Sequence, residues 1–451
     1  MAAAKCENLH MDRPKFTALG AVVLLWTLWL VPTPVSASVG RSFARLETST
    51  NASATRLAGV SNVAVKMLPM PNGGKSNVEL SSVSCVDVHF CIAVGAFRPA
   101  ERSMSYQGEQ PVILRFDGKG WSLMRPPIVT EADLDGVDCL STKYCVAVGE
   151  SINPQEFASP LIEEMHGHVW SVTPSPSPGI YPTNSSQLQA VSCSAVGKCT
   201  AVGTDYGVGY PRGVSANTGI IEKETPTGWN LVQLAPLAPT LEPSAAGGTV
   251  VPATAFDPTM LVTVSCTSSL CVAAGEQRSF VERQGGTWTA IQHSPIITNG
   301  VTCRVTHQCL GVGSDGSIQS DNTDISTSSS IVRLAGTRWR RAPSPNTTSS
   351  VNTLNSVACG TADSCVAVGA FTGPPVDHPQ SKQEGGALVE IESNGTWHTS
   401  IPPKTPADVD DSLASVSCPS SHMCVAVGQS VVNALRVPSG PVQSFSVLVR
   451  H

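Results

Sequence analysis

Cysteine is the residue type with the most chemical potential here. Of the fifteen cysteines, all but Cys6 fall into local pairs. The pairs are Cys85 with Cys91, Cys139 with Cys145, Cys193 with Cys199, Cys266 with Cys271, Cys303 with Cys309, Cys359 with Cys365, and Cys418 with Cys424. All are spaced C-x5-C except Cys266 and Cys271, which are C-x4-C. Paired thiols can hold zinc, shuttle electrons or close a disulfide. Zinc sites favour C-x2–4-C with two further ligands close by, and no second pair falls within any one repeat. No redox-type C-x-x-C occurs. The pairing expected is therefore seven local disulfides, with no metal and no cofactor. Two residues opposite one another in an antiparallel ladder are close enough to be bridged.

These pairs sit in a longer repeat. The segments are VSCVDVHFCIAVG (83–95), VDCLSTKYCVAVG (137–149), VSCSAVGKCTAVG (191–203), VSCTSSLCVAAG (264–275), VTCRVTHQCLGVG (301–313), VACGTADSCVAVG (357–369) and VSCPSSHMCVAVG (416–428). First cysteines recur after 54, 54, 73, 37, 56 and 59 residues. Periods of this size mean a solenoid, a propeller or an array. A strand-like run follows each segment, such as PVILRF (111–116) or ALVEIE (387–392). Then comes a tryptophan with a proline-containing exit, at Trp121, Trp170, Trp229, Trp288, Trp339 and Trp397. Each repeat thus offers four strands: a ends at the first cysteine, b starts at the second, c is the following run, and d holds the tryptophan. Four antiparallel strands repeated about an axis make a β-propeller blade. The tryptophans are expected to pack between blades, and the AVG run to admit close backbone approach. The seventh repeat lacks a d strand, whereas NVAVKMLPMP (62–71) has strand character and no partner. The expected fold is all-β: a seven-bladed propeller of four-stranded blades, closed by an N-terminal strand in the last blade.

Lys5, Arg13 and Lys15 precede the apolar stretch 16–31, and PTPVSAS follows it with small residues at Val35 and Ala37. This pattern predicts a secretory signal peptide over 1–37, a flexible linker over 38–60 and the propeller over 61–451. Export to the oxidising exterior agrees with the disulfides. An uncleaved N-terminal membrane anchor is the alternative. Charged residues are 14% of the chain, against roughly 25% in typical soluble proteins, and the net charge is −6. The basic footprint of a nucleic-acid binder is missing.

GGTW (285–288) and NGTW (394–397), each following a VAVG-type strand and a short strand, resemble the neuraminidase-type repeats of sialidases. They are more similar to secreted or lumenal propellers of the photosystem II assembly-factor type. The cysteine-paired form resembles repeat proteins of secreted actinobacterial chains of unassigned activity. The resemblance spans 62–450 and implies the fold. It departs from sialidases in lacking the aspartate box S-x-D-x-G-x-x-W. Tyr106, Tyr144, Tyr181, Tyr206 and Tyr210 occupy no repeated position that would mark a nucleophile.

Loop lengths carry the functional signal. The a–b and c–d turns are uniformly short, while b–c and d–a connections vary, as at 96–110, 204–218, 235–259, 314–329 and 370–386. All the variation falls on one face, and insertions confined to one face often mark a repeat protein's binding side. His89, His307 and His422 share one repeat position but read as turn residues. The acidic runs 320–324 and 408–412 lack calcium-loop spacing. The sequons at Asn51, Asn184, Asn346 and Asn394 matter only in a glycosylating host. No catalytic fingerprint is present. The expectation is an exported, monomeric, non-catalytic binding or scaffolding protein whose partner is a cell-surface protein or glycan, with no nucleic acid and no membrane after signal cleavage. The alternative is a secreted glycan hydrolase or lyase working in the central pocket of the long-loop face.

Overall fold

A computed structural model describes residues 64–450, apart from 69, 72–76, 99–107, 129–130, 154–156, 177–184, 210–213, 233–259, 276–278, 284–286, 292–293, 305–307, 319–324, 337, 361–363, 376–383, 404–408 and 433–441. The expected signal peptide and linker, with Asn51, lie outside the described residues, as do Asn184, His307, Tyr106, Tyr181 and Tyr210. The described residues are all-β, without a helix.

The strands follow the repeats. The lone N-terminal strand is β1 (Ala64–Leu68). Sheet 1 holds β2 (Val78–Asp87), β3 (Phe90–Phe97), β4 (Gln110–Phe116) and β5 (Trp121–Met124). Sheet 2 holds β6 (Ala132–Ser141), β7 (Tyr144–Ile152), β8 (Ala158–His166) and β9 (Val169–Thr173). Sheet 3 holds β10 (Ser185–Ala195), β11 (Lys198–Gly209), β12 (Val214–Thr225) and β13 (Gly228–Leu231). Sheet 4 holds β14 (Leu261–Cys266), β15 (Leu270–Gly275), β16 (Ser279–Arg283) and β17 (Thr289–Ile291). Sheet 5 holds β18 (Ile297–Cys303), β19 (Cys309–Ile318), β20 (Ile325–Ala335) and β21 (Arg338–Ala342). Sheet 6 holds β22 (Ser349–Cys359), β23 (Cys365–Pro375), β24 (Glu384–Ser393) and β25 (Thr396–Ser400). In sheet 7, β26 (Val409–Ser420), β27 (Met423–Val432) and β28 (Val442–Arg450) are completed by β1. Each sheet is an antiparallel meander. One parallel bridge, Thr327 to Val351, joins sheets 5 and 6 along their edges.

The chain's two ends share a sheet. β1 runs antiparallel to β28, with Met67 opposite Val447 and Ala64 opposite Arg450. The N-terminal strand therefore takes the place of the missing d strand.

Apolar side chains build one core between each successive pair of sheets. Trp170 packs with Phe90, Ile92 and Leu134 between sheets 1 and 2. Trp229, Trp288, Trp339 and Trp397 do the same between later pairs. Trp121 lies in a cluster that draws Val425, Val427 and Leu448 from sheet 7 onto sheet 1. The tryptophans are therefore wedges between sheets, 4–8% exposed, and burying each apolar body contributes about 2–3 kcal/mol.

A bulge recurs in every first strand. The register slips between Leu80 and Ser82, Leu134 and Gly136, Leu188 and Ala190, Leu261 and Thr263, Thr298 and Gly300, Leu354 and Ser356, and Leu413 and Ser415. A regular strand alternates faces, so residues three apart point opposite ways. The extra residue puts Leu80 and Val83 into the same core, as it does Leu134 and Val137. The glycine ending each AVG run lies across from this bulge. A Cβ on Gly95 would overlap the carbonyl oxygen of Glu79, and one on Gly149 that of Asp133. Close approach is thus required, as expected, but to the glycine's own first strand.

Neighbouring first strands are laced by hydroxyls. The Val83 N–H donates to Ser415 Oγ (3.2 Å) and the Cys85 N–H to Ser417 Oγ (2.9 Å). One sheet on, Val137 donates to Ser82 Oγ and Cys139 to Ser84 Oγ. Where the first position is glycine, the backbones themselves close in: a Cβ on Gly136 would stand 2.9 Å from Ala190 Cα. The sheet 7 to sheet 1 junction is therefore built like the others. Replacing Ser415 and Ser417 by alanine should cost about 2 kcal/mol in chemical denaturation, the same as Ser82→Ala with Ser84→Ala. A negligible loss at the first junction only would mean that sheets 7 and 1 are not held together.

Candidate functional site

Six of the seven cysteine pairs sit directly opposite across the a–b hairpin, and Cys418 and Cys424 meet at a register shift in theirs. Cα separations are 3.9 Å for Cys85–Cys91, Cys193–Cys199, 4.0 Å for Cys139–Cys145, Cys359–Cys365, Cys418–Cys424, and 4.1 Å for Cys266–Cys271, Cys303–Cys309. Each pair is a disulfide, so these residues clip the tight-turn end of the fold. His89 and His422 are exposed turn residues at that end, each with its backbone N–H held by Asp87 Oδ1 or Ser420 Oγ. Among the described residues no group of His, Cys, Asp and Glu is placed to hold a metal ion.

The opposite end carries the variable connections. Several are paired β-hairpins. β11 and β12 stay in register out to Gly209 and Val214, β19 and β20 to Ile318 and Ile325, and β23 and β24 to Gly373 and Glu384. The expectation of loops at 204–218 and 314–329 is corrected in this respect. Their Gly, Ser and Thr content is polar, but backbone ladder bonds need no apolar side chain.

At the root of this end, acidic side chains gather in sheets 7, 1, 2 and 3. Glu79, Glu109, Asp133, Glu150, Asp205 and Asp411 are all buried. Glu150 lies across the ladder from Asp133. Ser186 donates to Asp205 and Ser430 to Asp411. Arg98, just beyond β3, threads three of the carboxylates. Its guanidinium lies 3.0 Å from Glu79, 3.5 Å from Glu109 and 3.5 Å from Asp133, linking sheet 1 to sheet 2. Burial by itself would lower the Arg98 pKa, but Glu79, Glu109, Asp133 and Asp135 together hold it above its ordinary value. Its backbone N–H donates to the carbonyl of Asn77, which has a positive φ of 68°. The site fixes the base of the 96–110 connection.

Tyr144 is the described tyrosine best placed for chemistry. Its hydroxyl donates to Glu224 at 3.1 Å, and Trp229 Nε1 donates to Glu164 at 3.0 Å beside it. His166 Nε2 lies 3.1 Å from Glu164. Burial raises the Tyr144 pKa, and the charges of Glu224 and Glu164 raise it further. The phenol is thus held protonated, the opposite of an activated nucleophile. The group joins sheets 2 and 3 at the tight-turn end.

Sequence reading missed a set of buried glutamates on the third strands. Glu163, Glu222 and Glu390 are 0% exposed. Each lies opposite the central alanine of its AVG run: Ala147, Ala201 and Ala367. At the same register other sheets carry Leu114, Phe280, Val332 and Val447. Glu222 accepts from Ser175 Oγ at 2.9 Å, and Glu390 accepts from Ser329 Oγ at 2.8 Å and Ser344 Oγ at 3.1 Å. Neither Glu163 oxygen accepts a side-chain hydrogen bond, and only the Ile128 backbone opposes the effect of its burial. Burial pushes all three carboxyls up to about 7. Aligning the third strands by their distance from the following tryptophan would have revealed them, since Glu163, Glu222 and Glu390 each stand seven residues before Trp170, Trp229 or Trp397.

No protein-family model matches the chain, and no curated protein matches it. Solved structures similar to it include a protein of unknown function from Dyadobacter fermentans DSM 18053, at 9% identity and TM-score 0.40, covering 87% of this chain and 100% of that one. Another is a luciferin-regenerating enzyme, at 8% identity and TM-score 0.40, covering 76% of this chain and 100% of that one.

Proposed function

We propose that this protein is an exported seven-bladed β-propeller that binds a partner through the end carrying its long hairpins. The blade reading rests on three observations. Each first strand contacts the next, from β2 through β6, β10, β14, β18 and β22 to β26, and β26 contacts β2 again. Each pair of neighbouring sheets shares one apolar core, including sheets 7 and 1. The last sheet borrows its outer strand from the N-terminus, which leaves no half-built unit. Seven disulfides agree with an oxidising compartment, and no described helix is long and apolar enough to cross a membrane.

The observation that carries the binding role is the asymmetry of the two ends. Tight, cystine-clipped turns repeat at one end, and extended hairpins of unequal length stand at the other. A scaffold that keeps one end uniform while the other varies is a platform for recognition. The partner is a protein or glycan at the cell surface. The test is affinity capture from cell-wall extract with the exported protein and with a variant whose 204–218 and 314–329 hairpins are cut to two-residue turns. A partner held by the first and lost by the second supports the reading; equal capture by both sinks it.

A glycan hydrolase or lyase is the second reading, favoured by Glu79, Glu109 and Asp133 at the root of the same end. Release of reducing ends from cell-wall glycan, abolished by Glu109→Gln, would establish it.

A further inference from the structure

The geometry points to a binding site for a small phosphate or sulfate monoester at the tight-turn end, in a cleft between sheets 5 and 6. The cleft has a volume of about 230 Å³ and is lined by Arg304, Gln308, Arg333, Leu310, Leu334 and the Cys359–Cys365 cystine. It is separate from the long-hairpin end, so it stands or falls independently of the partner-binding reading.

Two guanidiniums line it, and a third stands beside it. Arg304 follows the first cysteine of sheet 5, and its Nη2 reaches Cys365 Sγ at 2.9 Å. Arg333 lies on β20. Arg340 on β21 is its cross-strand partner, and such pairs share one face of a sheet. Trp339, beside Arg340, is turned to the other face and buried against sheet 4. This alternation leaves Arg338 and Arg340 exposed on the side of the cleft. Among the described residues, Glu392 accepts from Arg333. Arg340 makes no ion pair among the described residues. A positive patch of this kind is out of keeping with a chain of net charge −6, and repulsion among the arginines is relieved by an anion.

The residue type and the walls narrow the ligand. Arginine forks match oxyanions bidentately, which lysine does not do. Leu310 and the cystine offer an apolar wall for a compact ester group. The volume is below the roughly 300–1,000 Å³ of drug-sized pockets, so the body carried by the oxyanion is small.

Titration calorimetry of the exported protein with phenyl phosphate and phenyl sulfate tests the site, with phenol and inorganic phosphate as references. Saturable binding of one or both esters, tighter than phenol, is expected; which ester binds identifies the anion. Arg340→Gln, alone and combined with Arg304→Gln, should weaken binding about tenfold or more with an unchanged unfolding temperature. Arg125→Gln, an exposed arginine beyond β5, should leave it intact. The site is overturned if neither ester binds saturably. It is also overturned if the double variant keeps its affinity, or if Arg125→Gln weakens binding equally.

Discussion

Lowering the pH from about 8 to about 5 should stabilise this protein against heat and denaturant. The cause is Glu163, Glu222 and Glu390, whose carboxyls burial pushes up to about 7. In the unfolded chain they titrate near 4.5. A carboxyl with a raised folded pKa binds its proton more tightly in the native state. Its contribution is fully present below the unfolded value and is lost as pH rises through the folded one. The window is therefore about pH 4.5 to 7, and a shift of this size corresponds to roughly 3 kcal/mol per group above it. The three lie between different pairs of sheets, so their effects should add. Glu163 is the clearest case because, unlike Glu222 and Glu390, it accepts no side-chain hydrogen bond, and only the Ile128 backbone opposes the effect of its burial. Glu163→Leu places at that register the residue sheet 1 already uses, Leu114. The variant should gain about 2–3 kcal/mol at pH 8 and little at pH 5. Changing all three to glutamine should flatten the pH dependence. A wild-type midpoint that does not move between these pH values, or a Glu163→Leu variant that is less stable at pH 8, would falsify this account.

These glutamates show where the sequence was readable and where it was not. The cysteine pairs, the AVG runs and the tryptophans were legible because each repeats at a fixed offset, and a local offset translates directly into a strand register. The union of β1 with β28 was legible by accounting: seven a–b pairs but six tryptophan strands leave a vacancy at one end and an orphan at the other. The buried glutamates were not legible from composition, because EE in PLIEEM reads as an exposed pair. Only the register shows that Glu163 shares a face with Leu161 and Met165, which are buried between sheets 1 and 2. The Arg98 cluster is still less local. Glu79, Arg98, Glu109 and Asp133 come from four separate segments, and no spacing announces that they meet. The bulge did leave a trace. Leu80 and Val83, Leu188 and Val191, and Leu354 and Val357 are three residues apart, a period that no regular strand with one buried face can satisfy.

That bulge makes the glycine after each AV pair the most sensitive backbone position in the fold. Gly149 lies opposite Leu134, where the first strand doubles back toward it by one extra residue. A methyl there meets the Asp133 carbonyl, its carbon, and the Leu134 Cα, all backbone atoms that cannot rotate away. The same overlap recurs at Gly203 with Gln187, Gly369 with Thr353 and Gly428 with Ser412. Relief requires the ladder to part or the bulge to be expelled. Expelling it would turn Leu134 away from the core that it shares with Val137. Gly149→Ala should therefore cost upward of about 3 kcal/mol, in the range of the severest single substitutions, and lower the yield of exported protein. Gly167→Ala is the internal standard. Gly167 has a φ of 73° in an open turn where a Cβ would meet nothing, so only the left-handed conformation is penalised, by about 1 kcal/mol. Denaturant midpoints of the two variants, measured side by side, separate the explanations. If Gly167→Ala costs as much as Gly149→Ala, the glycines serve chain flexibility, and the bulge is not what holds each first strand's apolar residues on a single face.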